Sequence, residues 1–342
     1  MKILLFTDLH MCPRASIINK WGTKYPSRLE NCIASLNWLE REAEAQGCDM
    51  IINLGDFFDK PDLTSETITA CNDIEWSGLL HYSIVGNHDA SNSSLTFSSV
   101  NSLLDKNHKI ISEPQIHKIY DCDLCFLPYV TECDRKDLEE YFGKRDPNRF
   151  RVILSHNDIR GLQLGPVVSK TGFSVEEIEA NCDLFLNGHL HNGQAITQKV
   201  INLGNLTGKD FGEDAFRHTH CIAVLDTSAR SLTYIENPHA YNFYKIDINT
   251  EIDIVQLNRL KYNAVVSIKC NQALVEEVKR MISAHDNIIE SRIILNRQYN
   301  AENTETTELD LSVDHLTRFI ECCRASIENS QLLEEELSEI CK

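Results

Sequence analysis

Five short clusters in this 342-residue chain carry residue types suited to holding metal ions. They are Asp8–Leu9–His10, Gly55–Asp56–Phe57–Phe58–Asp59, Gly86–Asn87–His88–Asp89, Ser155–His156–Asn157 and Gly188–His189–Leu190–His191. A single DxH or HxH pair is common on protein surfaces and says little; a series of such clusters, each after an apolar run, says more. Hydrolysing a phosphate ester at neutral pH needs an activated water and neutralisation of charge on the phosphoryl oxygens. Two divalent cations about 3.5–4 Å apart supply both. Carboxylate, imidazole and amide oxygen suit hard or borderline ions such as Mn²⁺, Fe²⁺ or Zn²⁺, and no Cys stands in any cluster. A carboxylate is the natural bridge between two such ions. Alternate residues on an extended backbone point the same way, so both side chains of DxH or HxH face one site. The glycines before Asp56, Asn87 and His189 allow tight turns where the chain leaves a strand.

Such clusters need a rigid frame, because function concentrates on loops that a sheet holds in place. Strand-like apolar runs occur at Lys2–Thr7, Met50–Leu54, His81–Val85, Arg151–Ser155, Leu184–Asn187, Val200–Leu203, Cys221–Leu225 and Ser231–Ile235. Several are continuous Ile/Leu/Val/Phe runs, the pattern of strands covered on both faces. Leu29, Ile33, Leu36 and Leu39 recur at helical spacing within Ser27–Gln46, and Ser65–Trp76 and Ser93–Leu104 read as shorter helices. The fold class is α/β with a substantial sheet core over residues 1–240. After Pro238, Ala264–Lys269 (strand), Gln272–Ile282 (helix) and Ile288–Leu295 (strand) read as a small βαβ-like unit within 241–300. The polar stretch Asn300–Thr307 reads as a linker, and Leu316–Ile340 as a long amphipathic helix, within 301–342.

Composition narrows the class. The formal charge of −18 argues against nucleic-acid binding by bulk electrostatics, since phosphate neutralisation wants Lys and Arg. It does not exclude a nuclease, because bound cations bring positive charge to clustered carboxylates. Thirteen cysteines at irregular spacing, with a lone CxxC at Cys122 and Cys125, read as reduced buried thiols of a cytoplasmic protein. No segment has the length and apolarity of a membrane span, and the first residues read as a buried strand rather than a signal peptide.

The five motifs, in this order, resemble the calcineurin-like metallophosphoesterase superfamily over the first two-thirds of the chain. GDFFDKPD, VGNHD and the segment NLGNLTGKDFGED (Asn202–Asp214) are most similar to the SbcD-type nucleases of DNA repair complexes. The resemblance implies a two-sheet β-sandwich flanked by helices, with a small α+β cap and a C-terminal helix. It implies that Asp8, His10 and His191 hold one metal, that Asn87, His156 and His189 hold the other, and that Asp56 bridges them. Mn²⁺ is the first expectation, with Mg²⁺, Fe²⁺ or Zn²⁺ as the other options. His88 matches the histidine that contacts phosphate and assists the leaving oxygen. Asp59 matches a position that orients a ligand or His88, although a structural role fits it equally. Asp89 reads as a cap for the following helix.

The implied activity is metal-dependent exonuclease action on double-stranded DNA ends and endonuclease action on single strands, in repair, recombination or replication. The implied partner is an SbcC-type coiled-coil ATPase, with the C-terminal helix either docking on it or packing on the chain's own cap. A homodimer is a further arrangement. The alternative reading is a phosphatase or cyclic-nucleotide phosphodiesterase of the same superfamily, and a third is a scaffold with a decayed site. The short catalytic region fits a minimal, virus-encoded version. Arg14, Lys20, Lys24, Arg28, Lys60, Lys209 and Arg217 are candidates for phosphate contact, with ordinary solvated charge as the competing reading of each. His81 reads as a strand-end residue, His108 and His117 as loop residues, and His218 and His220 as strand-start residues, with approach to substrate as the competing reading of the last two.

Overall fold

Apolar residues at consecutive positions leave a strand no polar face, so such strands must be covered on both sides. A computed structural model, described for residues 1–91, 95–164 and 167–296, meets this demand with layers. In chain order the strands begin with β1 (Lys2–Phe6), β2 (Met50–Asn53), β3 (Leu80–Ile84), β4 (His108–Ile111), β5 (Gln115–Ile119), β6 (Cys122–Leu127) and β7 (Phe150–Ser155). Next come β8 (Gln163–Leu164), β9 (Val167–Val168), β10 (Leu184–Asn187), β11 (Gln194–Ala195) and β12 (Val200–Asn202). The last are β13 (Cys221–Asp226), β14 (Ser231–Glu236), β15 (Asn242–Ile248), β16 (Ala264–Cys270) and β17 (Ile288–Leu295). The α-helices are α1 (Ser27–Ala45), α2 (Ser65–Asn72), α3 (Leu138–Phe142), α4 (Val175–Asn181) and α5 (Val275–Ser283).

One six-stranded sheet has the order β14-β13-β1-β2-β3-β4 and a second has the order β11-β12-β10-β7-β6-β5. Side-chain parity divides the core between them. Ile3, Leu5, Ile52 and Ile84 of the first sheet meet Leu124, Phe126, Val152 and Leu186 of the second. The opposite parity, Leu4, Phe6 and Ile51, packs on Leu29, Leu36 and Leu39 of α1. On the far side, Cys125, Ile153 and Phe185 pack on Leu138 and Phe142 of α3 and Ile178 of α4. The result is a two-sheet sandwich between helical layers. Each fully buried Leu or Phe in it contributes roughly 1.5–3 kcal/mol.

All eight expected strands form, with ends shifted by at most a residue or so. α1 follows its expected span and ends at Gly47, whose φ of 64° closes the helix. α2 is shorter than expected, ending at Asn72; Trp76 lies beyond it, with its ring against His81 and His108. Of the helix expected at Ser93–Leu104, the described residues form a 3₁₀ helix at Ser99–Lys106, and residues 93–94 lie outside the described residues. His108 and His117 are not loop residues: they lie in β4 and β5.

β15, β16 and β17 form a separate parallel sheet, with α5 crossing between the last two strands and an apolar cluster of its own around Tyr244, Ile246, Val266 and Val278. Phe243 and Val265 join Ala15, Ile18 and Phe211 in a further cluster. The stretch Asn300–Thr307 and the helix expected at Leu316–Ile340 lie outside the described residues. Among the described residues no helix is long and apolar enough to cross a membrane. None of the ten described cysteines forms a disulfide; most are buried, but Cys133 is exposed.

Candidate metal centre

The five clusters meet at the ends of β1, β2, β3, β7 and β10. Hydrogen bonds from Asp8 N to the Gly55 carbonyl and from His10 N to the Asp56 carbonyl, both 3.0 Å, lock the first two loops together. Asp8, His10, Asp56 and His189 all have positive φ, between 45° and 77°, a strained conformation that clusters where function demands it. The neighbouring glycines are needed for space as much as for turning. Gly55 has φ 117°, but Gly86 has no positive φ, and a Cβ there would overlap the Asp56 carboxylate.

Three overlapping groups of donors form: Asp8, His10 and His191; His10, Asp56 and His88; and Asp56, His156 and His189, the atoms within each lying within 4.8 Å of one another. Asn87 joins the last group, its Oδ1 at 2.9 Å from His189 Nδ1 and 3.2 Å from His156 Nε2. All seven residues expected to hold metal are therefore brought together, with Asp56 between the two ends of the site.

Each imidazole turns one nitrogen inward and has the other held from behind. His156 Nδ1 donates to the Leu54 carbonyl at 2.8 Å, which leaves Nε2 as the lone-pair nitrogen, 3.2 Å from Asp56. His189 Nε2 lies 3.3 Å from Asp158, His191 Nδ1 lies 3.4 Å from Glu213, and His10 Nδ1 lies 3.4 Å from Asp59. Such outer partners fix the tautomer and raise the basicity of a metal-binding imidazole. Asp8 is set in the same way: Oδ2 accepts from Thr7 Oγ1 at 2.6 Å and from His189 N at 2.9 Å. Asp158, Glu213 and Thr7 were not singled out as site residues from the sequence, although each adjoins or lies within a motif that was.

The electrostatics fit bound cations. Asp8 Oδ1 is buried, 3.7 Å from His10 Nε2 and without a hydrogen-bond partner. His10 Nε2 and His191 Nε2 approach to 2.9 Å. Burial alone would push the Asp8 carboxyl up, but the approach of His10 and the fields of His156 and His191 hold it well below the usual carboxylate range. Burial opposes charge on His10 and His156, yet Asp59 and Asp8 raise the first to about 9, and Asp56 raises the second to about 9. Ionised carboxylates facing imidazoles that crowd together call for positive charge at the centre, which divalent cations supply.

His88 stands apart. Its side chain is 41 % accessible, against 0 % for His10, and its Nδ1 donates to the main-chain carbonyl of Asp59 at 3.0 Å. The Asp59 carboxylate faces His10 and Lys209 instead, so side chain and backbone of this residue have separate tasks. Asp89 is not a helix cap. It is buried, accepts from Phe58 N at 3.0 Å and Gly86 N at 3.1 Å, and ties the second cluster to the third; burial and the nearby Asp56 raise its carboxyl to about 7. Asn157 likewise braces a loop, accepting from Val130 N at 2.8 Å.

Among the basic candidates, Arg28 is fully buried and donates to the Leu9 and Gly208 carbonyls, which removes it from phosphate contact. Lys209 pairs with Asp59, Lys20 with Glu290, Lys24 with Asp73 and Arg217 with Asp214. Arg14 and Lys60 form no ion pair among the described residues and line a cavity of about 190 Å³ beside Asp59. His218 and His220 are buried behind the site.

Among solved structures the chain is similar to a dimetal phosphatase from Danio rerio (12 % identity, 66 % of this chain and 91 % of that one, TM-score 0.39). It is also similar to the calcineurin-like phosphoesterase YfkN from Bacillus subtilis (11 %, 69 % and 88 %, TM-score 0.35). A third is a metallophosphoesterase from Sphaerobacter thermophilus (14 %, 69 % and 89 %, TM-score 0.28). No curated protein matches the chain. Residues 1–193 match the family model for calcineurin-like phosphoesterases. That match spans more than half of the chain, and by it the chain belongs to the calcineurin-like phosphoesterase family, whose metal-dependent hydrolysis of phosphoesters is the chemistry its donors suit.

Proposed function

We propose that this member of the family is a metal-dependent DNA nuclease of the SbcD-like type, cleaving phosphodiesters in repair, recombination or replication. One observation carries the narrower reading. The segment Asn202–Asp214, one of the three on which the SbcD-like resemblance rests, folds into the site itself, where Glu213 backs His191 and Lys209 grips Asp59.

Asp8, His10 and His191 would hold one cation and Asn87, His156 and His189 the other, with Asp56 between them. When bound, two divalent cations, Mn²⁺ first among Mn²⁺, Mg²⁺, Fe²⁺ and Zn²⁺, supply an activated water and neutralise the phosphoryl oxygens. The protein does the rest. Water attacks phosphorus in line, the bond to the 3′-oxygen breaks, and the departing oxygen needs a proton. His88, in its doubly protonated form, is placed to give it: Nδ1–H is held by the Asp59 carbonyl, and the proton transferred to the leaving oxygen is the one on Nε2, on the accessible side of the site. Thr7, Asp158 and Glu213 keep the other donors from rotating away.

The test is incubation of the protein with linear DNA and Mn²⁺, beside Asp56→Ala and His88→Gln. Cleavage is expected from the natural protein alone, with loss of about 10²-fold or more in each variant. Brisk hydrolysis of small phosphate esters with intact DNA would replace this reading by the phosphatase or cyclic-nucleotide phosphodiesterase one. An SbcC-type ATPase partner belongs to the same proposal, and co-purification with a coiled-coil ATPase tests it separately.

A further inference from the structure

Beside the metal centre lies a feature the chemistry above does not use. The loop from Met11 to Pro26 carries Trp21, at the base of the Gly22–Tyr25 turn, with 70 % of its surface exposed. That loop is braced. Ile18 N donates to the Ala15 carbonyl at 2.7 Å, Gly22 N to the Tyr25 carbonyl at 2.7 Å and Ser27 N to the Lys20 carbonyl at 2.9 Å. Ala15 and Ile18 are buried against Phe243 and Val265 of the three-stranded sheet. An indole displayed on a fixed platform gains nothing for folding.

Two cavities connect Trp21 to the site. One, of about 190 Å³, is bounded by Asp59, Lys60, Met11 and Arg14. The other, of about 650 Å³, is bounded by Arg14, Asn19, Trp21 and Pro26. They share Pro13, Arg14 and Thr64, so they are two reaches of one groove that begins at the residue holding His10 and His88. Arg14 and Lys60 line it exposed and without an ion pair among the described residues. Asp59 is already matched by Lys209, and Lys20 by Glu290, while Asp62 and Glu66 are the opposing charges on the lining. Cations spaced along a groove that ends in an open aromatic face match a chain of phosphates bearing bases, the arrangement used to bind single strands. A duplex cannot meet it, because its bases are stacked and paired inside.

We propose that the groove from Asp59 past Arg14 and Lys60 to Trp21 is a track for a single-stranded polynucleotide, with a base stacked on Trp21 and phosphates on the two cations. The proposal rests on the nuclease reading but has its own readout. Trp38 is buried and Trp76 partly so, hence quenching of tryptophan emission by an oligonucleotide reports on Trp21.

The experiment titrates full-length protein in EDTA, where nothing is cleaved, with oligo(dT), oligo(U) and a blunt DNA duplex. Single strands should quench the emission and the duplex should not; the ratio of oligo(dT) to oligo(U) affinity assigns the sugar. Trp21→Ala should abolish the quench and weaken binding, followed by anisotropy of a labelled oligonucleotide, about 5- to 150-fold, while Trp21→Phe restores most of it. Arg14→Gln with Lys60→Gln should lower the slope of log affinity against log salt by about 1.4. Trp21 is exposed, so thermal melts of these variants should match the natural protein. Unchanged binding in both the Trp21→Ala and the double variant overturns the track, even if the protein cleaves DNA with Mn²⁺. Quenching through Trp21 without any DNA cleavage leaves the track standing and removes the nuclease reading.

Discussion

At the scale of residues, the site is governed by what stands behind each imidazole. His189 and His191 depend on carboxylates, Asp158 and Glu213, whereas His156 depends on a main-chain carbonyl that no side-chain substitution removes. Asp158→Asn and Glu213→Gln should each weaken Mn²⁺ binding about 10- to 100-fold in a folded protein, as read by titration calorimetry. Unaltered affinity in both would show that these carboxylates are bystanders. Asp59 gives a sharper contrast, because its carbonyl serves His88 and its carboxylate serves His10. Asp59→Asn should cost metal affinity and be rescued by excess Mn²⁺. His88→Gln should bind metal normally and lose turnover that no excess restores; the reverse pattern would exchange the two assignments. The proposed metal donors were legible in the sequence because DxH, GNHD and GHxH are compact signals with a chemical reason. Apart from Asp59, their supports were not, because a Leu54 carbonyl leaves no trace in sequence and Glu213 is one acidic letter among many.

At the scale of elements, the frame was legible at many of the strands covered on both faces, although β6, buried throughout, was not expected as a strand, its apolar run being broken by Cys122, Asp123 and Cys125. β1, β2, β7 and β10 are continuous apolar runs and declared themselves. β4 and β5 did not, because each is the last strand of its sheet and carries residues such as Lys109 and Lys118 on its open side. The loops that follow the strands were legible as turns but not as close contacts. Gly86 illustrates the difference: Ala there would drive a methyl group into the Asp56 carboxylate, while Ala at Gly47 meets nothing within 4 Å and suffers only its positive φ. Gly86→Ala is therefore expected to abolish tight metal binding in a protein that still folds, and Gly47→Ala to lower stability by about 1 kcal/mol with metal binding intact. Equal metal affinity in the two variants would contradict the proposed position of Asp56.

At the scale of the whole molecule, acid should loosen the structure through histidines that bind no metal. His218 accepts a hydrogen bond from Gly193 N at 2.9 Å, so its Nδ1 cannot take a proton without losing that bond, and burial lowers it to about 4. His220 packs edge-on against it and is held well below its ordinary value, also by burial. Below about pH 6.5 the unfolded chain takes up protons that the folded chain refuses. Stability should therefore fall as pH drops from 6.5 to about 4, by about 1.4 kcal/mol per unit for His218. His218→Asn, which keeps an acceptor but does not titrate, should show a smaller loss of urea midpoint between pH 7 and pH 5, measured in EDTA. An identical loss would place the acid sensitivity elsewhere.

The donors are also divided between the two sheets. Asp8, His10, Asp56 and Asn87 follow β1, β2 and β3 of one sheet, and His156, His189 and His191 follow β7 and β10 of the other. Neither half has a full proposed set, so an ion held by both would act as a stitch across the sandwich. During synthesis the first four donors leave the ribosome well before the last three. The edge of β1 then waits longer still for β13, its antiparallel neighbour. With the proposed donors, a half-made chain would hold only part of either set, so metal uptake would mark the moment at which the two sheets have closed on each other.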